Sequence, residues 1–360
     1  MASAAADWLA TAASIEALAD LRLDGRLVRE LQAQSGGPSA ITFHLPGFKT
    51  YSSPELPSCS QAAWPAISVT GAECALNCDH CRAEILKPMR PATTPEALWQ
   101  AASGLARRGV GGMLLTGGSN SRNEVVYEPY LPVIRRIKDA FPHFRIAAHT
   151  GLVDRHAAQG LAGSGVDVAM LDIIGAQDTV TRVYHLKRAV ADFEASLAHL
   201  AATGMRVVPH VVIGLHYGRL LGEWRALEMI APYAPAATVL VVAMPYYASP
   251  SRPFRVPESR EVGGFFLDAR GLLPGVPLLL GCARPAGKVK AEIDAYGVMA
   301  GLDGIAHPAE GTVELARKTG REARLSAGCC SVGSGELLES VFAGETPAVP
   351  MPLRRFAEGR

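Results

Sequence analysis

Residues 74 to 81 read Cys-Ala-Leu-Asn-Cys-Asp-His-Cys, directly behind the strand-like run Ala66-Ile67-Ser68-Val69-Thr70. Three thiols this close together, Cys74, Cys78 and Cys81, can wrap three corners of one iron–sulfur cubane and leave its fourth iron without a protein ligand. Ordinary four-iron clusters take four cysteines. A site one ligand short keeps a position open for another molecule, the same logic that separates catalytic from structural metal sites. Zinc is the competing reading, with His80 completing a Cys3His set. However, His80 lies between two of the cysteines, where a short loop can hardly aim four side chains at one tetrahedron, and no second Cys-x2-Cys knuckle exists. A disulfide framework is disfavoured because a chain of 360 residues can bury its own core.

The rest of the composition narrows the class. Apolar residues make up 49% and charged residues 19%, a balance of buried globular enzymes rather than disordered chains. A formal net charge of +1 gives no global field to recruit nucleic acid or an anionic membrane. The longest apolar runs, such as 237–248, are too short to span a bilayer. The Ala-rich start has Asp7, Glu16 and Asp20 and no basic region, so it reads as an amphipathic helix and not a signal peptide. Three cysteines in a metal loop suit a reducing cytoplasm.

From residue 66 onward one pattern repeats: a short apolar strand, a Gly or polar turn, an amphipathic helix. Strands are expected at 66–70, 112–116, 145–150, 168–174, 206–215, 238–245, 277–282 and 304–307. Helices are expected near 94–108, 129–140, 154–163, 179–203, 223–232, 257–271, 288–300 and 309–320. Their number and the near-continuous apolar strands predict a (β/α)8 TIM-type barrel over 66–320. A helical and loop extension covers 1–65, its second half loop because of Pro46, Pro54 and Pro57, and a short C-terminal tail covers 321–360.

Such barrels work where their strands end, and the cysteine loop is the first of these ends. The other ends carry Thr116-Gly117-Gly118-Ser119-Asn120, His149, Asp172, His210 with His216, Met244, Cys282-Ala283-Arg284 and His307. Each has a structural reading as a turn, a cap or a satisfied histidine. Together they favour a site. His210 and His216, six residues apart, share one face if the strand stays regular.

The Cys-x3-Cys-x2-Cys spacing behind a strand resembles the radical S-adenosylmethionine superfamily, and the pattern over about 60–330 resembles its biotin-synthase-like branch. The resemblance implies a [4Fe-4S] cluster on Cys74, Cys78 and Cys81 whose open iron chelates S-adenosylmethionine, which is split to a 5′-deoxyadenosyl radical. It implies that Gly117, Gly118 and Ser119 hold the methionine amino group, with Ser where Glu is commoner. Asp172 would contact the cofactor, and Ile213 and Gly214 would pack on adenine. Four phrases, Pro65–Gly71, Gly214–Gly218, Gly281–Pro285 and Asp303–Pro308, followed by Cys329-Cys330, resemble the components of a two-component lipoyl synthase. That resemblance implies sulfur insertion into an octanoyl chain on a lipoyl carrier protein or peptide, a second related radical subunit and an electron donor.

Inserting sulfur at an unactivated carbon needs a hydrogen-abstracting radical and a sulfur source close by. An auxiliary iron–sulfur cluster is such a source, and Cys59, Cys282, Cys329 and Cys330 are its candidate ligands. Singly, each is as readily a small buried hydrophobe. Arg284 either positions a substrate carboxylate or amide or serves a structural ion pair. The rival expectations are another biotin-synthase-like radical reaction, such as biotin synthesis or a rearrangement, and a non-catalytic iron–sulfur partner protein.

Overall fold

The computed structural model describes residues 7–34, 39–47, 51–59 and 64–333. Its strands along the chain are β1 (Ala40–His44), β2 (Tyr51–Ser53), β3 (Leu56–Cys59), β4 (Ala66–Ser68), β5 (Arg90–Pro91), β6 (Gly112–Thr116), β7 (Arg145–His149), β8 (Val168–Asp172), β9 (Arg206–Ile213), β10 (Thr238–Val242), β11 (Leu278–Leu280), β12 (Gly304–Ala306) and β13 (Glu322–Ser326). The eight expected strands are therefore all present, as β4 and β6 to β12. They pair side by side in chain order and are parallel throughout.

The sheet does not close as the expected eight-stranded barrel. Closure requires β12 to pair with β4, but β12 gives that edge to β1, and β1 in turn pairs with β13. The result is an open, partly closed barrel of eleven parallel strands, ending at β13 on one side and at the two-residue β5 on the other. The stretch read as loop from its prolines thus contributes an interior strand next to the sheet's end, and β2 and β3 form a separate antiparallel hairpin. At the hairpin turn, the Glu55 carboxylate accepts hydrogen bonds from the Gly311 and Glu314 amides (2.7 and 2.8 Å). These are orphan donors at a helix N-terminus.

Strand parity builds two layers. Ile146, Ala148, Ala169, Leu171, Val211, Ile213, Leu240 and Leu280 face outward and pack under the helices in the main core. Ala147, Val168, Met170, Val208, Val239 and Leu279 face inward and form a second, interior core with Trp64, Cys330 and Val332. A Cβ on Gly112 would run into the Trp64 ring, so glycine there makes room for it. The chain after β13 turns back into the open barrel and fills it from the C-terminal side. Among the described residues no helix is long and apolar enough to cross a membrane.

Helix positions follow the sequence pattern except at one point. The helix expected over 179–203 is two helices, Gln177–Arg182 and Val190–Ala201, and His185 in the break has a positive φ of 57°. The break matters for the site below.

His44, at the end of β1, is fully buried between Gly304 and Gly333, both of which lack the Cβ that would strike its ring. Burial lowers its pKa from 6.5 to about 4. Between those pH values the unfolded chain binds a proton that the folded chain refuses. Stability should therefore fall as pH drops from about 6.5 to about 4, by up to roughly 3 kcal/mol from this group. Urea melts across that range should show the loss, and His44→Asn should be less stable at pH 7 yet flatter in pH dependence.

Candidate functional site

The cysteine loop is held by backbone contacts from the next strand end. The Ala75 amide donates to the Ser119 carbonyl (2.8 Å), the Gly118 amide to Thr70 Oγ1 (2.7 Å), and Thr70 Oγ1 to the Glu73 carbonyl (2.9 Å). A Cβ on Gly118 would collide with the Glu73 carbonyl and with Cys74, so this glycine is required for the two loops to meet. Burial pushes the Cys78 thiol up, and the neighbouring Cys81 and Cys74 push it further. Burial acts the same way on Cys81, but His80 beside it brings that thiol below its usual value.

Cys74, Cys78 and Cys81 open into a cavity of about 350 Å³ at the C-terminal ends of the strands. Gly117, Gly118, Ser119 and Asp172 line it as well, as do Cys282, Cys329 and Cys330 from the opposite side. The six cysteines whose side chains are described, separated by up to 256 positions in sequence, thus line one chamber. Cys59 ends β3, and its side chain lies outside the described residues.

Parity explains which other expected residues reach the chamber. The inward rows that are apolar deeper down, Leu114, Ala147, Met170 and Val208, continue at the strand ends as Thr116, His149, Asp172 and His210. Ile213 has the opposite parity and is buried under the helices; Val212 and Leu215 line the chamber instead. Gly214 is a turn glycine (φ 77°) whose amide donates to Glu223 Oε1 at 2.8 Å. His216 lies past the end of β9, so it does not share the face of His210; its Nδ1 is 3.1 Å from Thr179 Oγ1.

Charge inside the chamber is organised around Asp172. Burial pushes its carboxyl up, but the nearby His149 imidazole outweighs this and brings it to about 2. His149 Nε2 lies 3.6 Å from Asp172 Oδ1, and its own pKa is raised because that contact outweighs its burial. His210 goes the other way, to about 4, through burial and the nearby His149. Its Nδ1, 3.1 Å from the Val208 carbonyl, must carry the proton, which leaves Nε2 as a bare acceptor. On the far side, the side-chain hydrogen bond with Cys330 lowers the Cys329 thiol to about 7 against its burial.

Two groups of residues went unnoticed in the sequence. Tyr184, in the helix break, lines the chamber and lies against His80, the rings tilted and their centroids 5.1 Å apart. Asp79, between two cysteines of the motif and only 6% exposed, accepts from His185 Nε2 (2.9 Å), Tyr217 Oη (2.7 Å) and Arg252 (3.0 and 3.2 Å). Its amide donates to the Val183 carbonyl at 2.9 Å. One carboxylate thus ties the cysteine loop to the loops after β8, β9 and β10. The only local signal was an acidic residue inside the motif; its partners lie 106 to 173 positions away.

Arg284 has the structural role. Its guanidinium pairs with Asp294, both side chains fully buried, and donates to the carbonyls of Gly281, Ala306 and His307. It staples the ends of β11 and β12 and does not line the chamber.

The residues of the cysteine loop suit a metal cluster by the chemistry of their donors. Cys78 is a buried thiol whose ionisation is opposed by two adjacent thiols, a conflict that a cationic centre relieves by deprotonating its ligands outright. Among the described residues no three His, Cys, Asp or Glu side chains gather tightly enough for a single metal ion. A cubane spreads its ligands wider than one ion does.

No family model matches this chain, and no curated protein does. Solved structures do. HydG, a maturase of the [FeFe]-hydrogenase, aligns at TM-score 0.55 and 14% identity over 88% of this chain and 74% of its own. HydG from Carboxydothermus hydrogenoformans gives 0.53 and 15% over 78% and 62%, and methylornithine synthase (PylB) 0.52 and 12% over 85% and 83%. This chain shares their fold.

Two substitutions test the site's scaffolding. Arg284→Met leaves the Asp294 charge buried with Lys290 as its remaining cation and should cost roughly 3–5 kcal/mol in denaturant melts. Asp79→Ala should weaken protection of the Cys81 and Arg82 amides, which both bond the Cys78 carbonyl, by about 2 kcal/mol in hydrogen exchange while global stability changes less.

Proposed function

We propose that this chain is a radical S-adenosylmethionine enzyme that inserts sulfur into an octanoyl chain on a lipoyl carrier, as one component of a lipoyl synthase. The observation that carries the reading is the single chamber shared by the motif cysteines and by Cys282, Cys329 and Cys330. A fold in common with HydG and methylornithine synthase supports the scaffold. When bound, a [4Fe-4S] cluster on Cys74, Cys78 and Cys81 with S-adenosylmethionine supplies a 5′-deoxyadenosyl radical, and an auxiliary cluster on the second cysteine set supplies sulfide.

The chain's own residues then have defined tasks. Leu114, Met170, Val212, Val239 and Val241 give the chamber an apolar wall suited to an acyl chain, and this wall keeps water from a reactive carbon centre. Gly117, Gly118 and Ser119 offer backbone groups that a small polar ligand can approach closely. Asp172 stays anionic and His210 neutral near pH 7, so one accepts from a cationic or N–H donor and the other accepts through Nε2 alone. The reading also calls for an external electron donor, a second related subunit and a reducing compartment such as the cytoplasm.

Iron and sulfide counts on anaerobically reconstituted protein test it. About eight irons per chain, falling to about four in a Cys74/Cys78/Cys81 triple-alanine variant, are expected. About four, falling to none, would remove the internal sulfur source and redirect the assignment to another radical reaction on the same scaffold.

A further inference from the structure

Three segments at the chamber mouth, one of them starting within the helix Gln177–Arg182, contain no acidic residue. Segments 179–188, 215–222 and 245–257 carry Arg182, Lys187, Arg188, Arg219, Arg252 and Arg255 and no Asp or Glu, although Lys and Arg (35) nearly match Asp and Glu (34) over the chain. Each segment lends a residue to the chamber wall: Tyr184, Leu215 and Tyr247. The loops also touch one another. Tyr217 Oη donates to the Arg182 carbonyl (3.0 Å) and the Arg255 amide to the Tyr217 carbonyl (3.3 Å), while the tilted rings of Tyr217 and Phe254 meet with centroids 5.0 Å apart. The basic residues therefore form one collar.

Little of this charge is used internally. Arg188 pairs with Glu124 and Arg252 with Asp79. Among the described residues no carboxylate lies within ion-pair distance of Arg182, Lys187, Arg219 or Arg255, and all four side chains are exposed. Asp178 and Glu258 flank the collar without pairing with these four. The same segments expose Tyr246 (62%), Val256 (40%) and Leu221 (47%), three of the seven large apolar side chains exposed among the described residues. Arginine and tyrosine beside aliphatic side chains are a composition enriched at protein interfaces.

We propose that this collar docks an acidic carrier protein that delivers the substrate chain into the chamber. The collar borders the chamber mouth along the ends of β8, β9 and β10, so a partner seated on it holds its tethered chain beside the entrance. A free fatty acid offers one charge and has no use for so wide a surface. An electron donor needs only to approach the cysteine loop and has no reason to engage all three loops. The inference rests on the acyl-carrier reading above.

The probe is an octanoylated lipoyl-carrier domain, titrated anaerobically onto the reconstituted full chain at low and high salt. Wild type should bind it, with affinity that falls steeply with ionic strength. The double variant Arg219→Glu/Arg255→Glu should weaken binding by roughly tenfold or more, and Arg219→Lys/Arg255→Lys should largely restore it. Iron content and reductive cleavage of S-adenosylmethionine without carrier should stay as in wild type, which shows that the variants are folded and loaded. Charge-reversed protein that binds and turns over the carrier with unchanged KM would overturn the collar and leave the sulfur-insertion reading standing. Salt-sensitive, collar-dependent binding without any thiolated product would do the reverse. Equal binding of an acidic ferredoxin that displaces the carrier, or no carrier binding at any salt, would also overturn the proposal.

Discussion

A parallel sheet leaves no face that can stay wet, and that constraint shapes everything else in this chain. Each crossover returns a helix to the outer face, so the outer row of every strand must be apolar. The inner rows converge on one another, and on β7, β8 and β9 they are apolar only as far as Ala147, Met170 and Val208. Two residues further along each strand the same rows become His149, Asp172 and His210. The chamber exists because the apolar filling stops there, not because a separate domain creates it.

Asp79 is where this scaffold and the chemistry meet. A carboxylate buried between two cysteines would be costly alone, and it is matched by donors from three other loops. The helix break at 183–189 serves the same knot: it delivers His185 to Asp79 and Tyr184 to the chamber. The loops that hold Asp79 also carry the basic collar, so the element that steadies the cysteine loop and the surface that would receive a carrier are one piece of structure.

The tail and the extension show the limits of local patterns. Ala40–His44 has too few residues and too many prolines after it to announce a strand of the main sheet, yet it takes the edge of β12 and prevents closure. Its reason is long-range: β12 offers unpaired backbone groups that some strand must satisfy. Likewise, adjacent cysteines in a Gly-rich tail suggested cluster ligands at the mouth but not members of the interior core. They are inside because the open barrel would otherwise leave its interior core uncovered.

What the sequence determined by itself was local and periodic. The spacing of Cys74, Cys78 and Cys81, the eight parallel strands and seven of the eight helix positions depend on neighbours a few residues apart, which a one-dimensional pattern records. Strand parity was equally legible, and applied strictly it assigns His210 inward and Ile213 outward. Tertiary structure alone decided that β1 displaces closure, that Arg284 is spent on Asp294, that Asp79 joins four loops and that six cysteines face one chamber. Those outcomes depend on which distant groups compete for the same buried hydrogen bonds and the same volume, and that competition takes place only once the chain has folded.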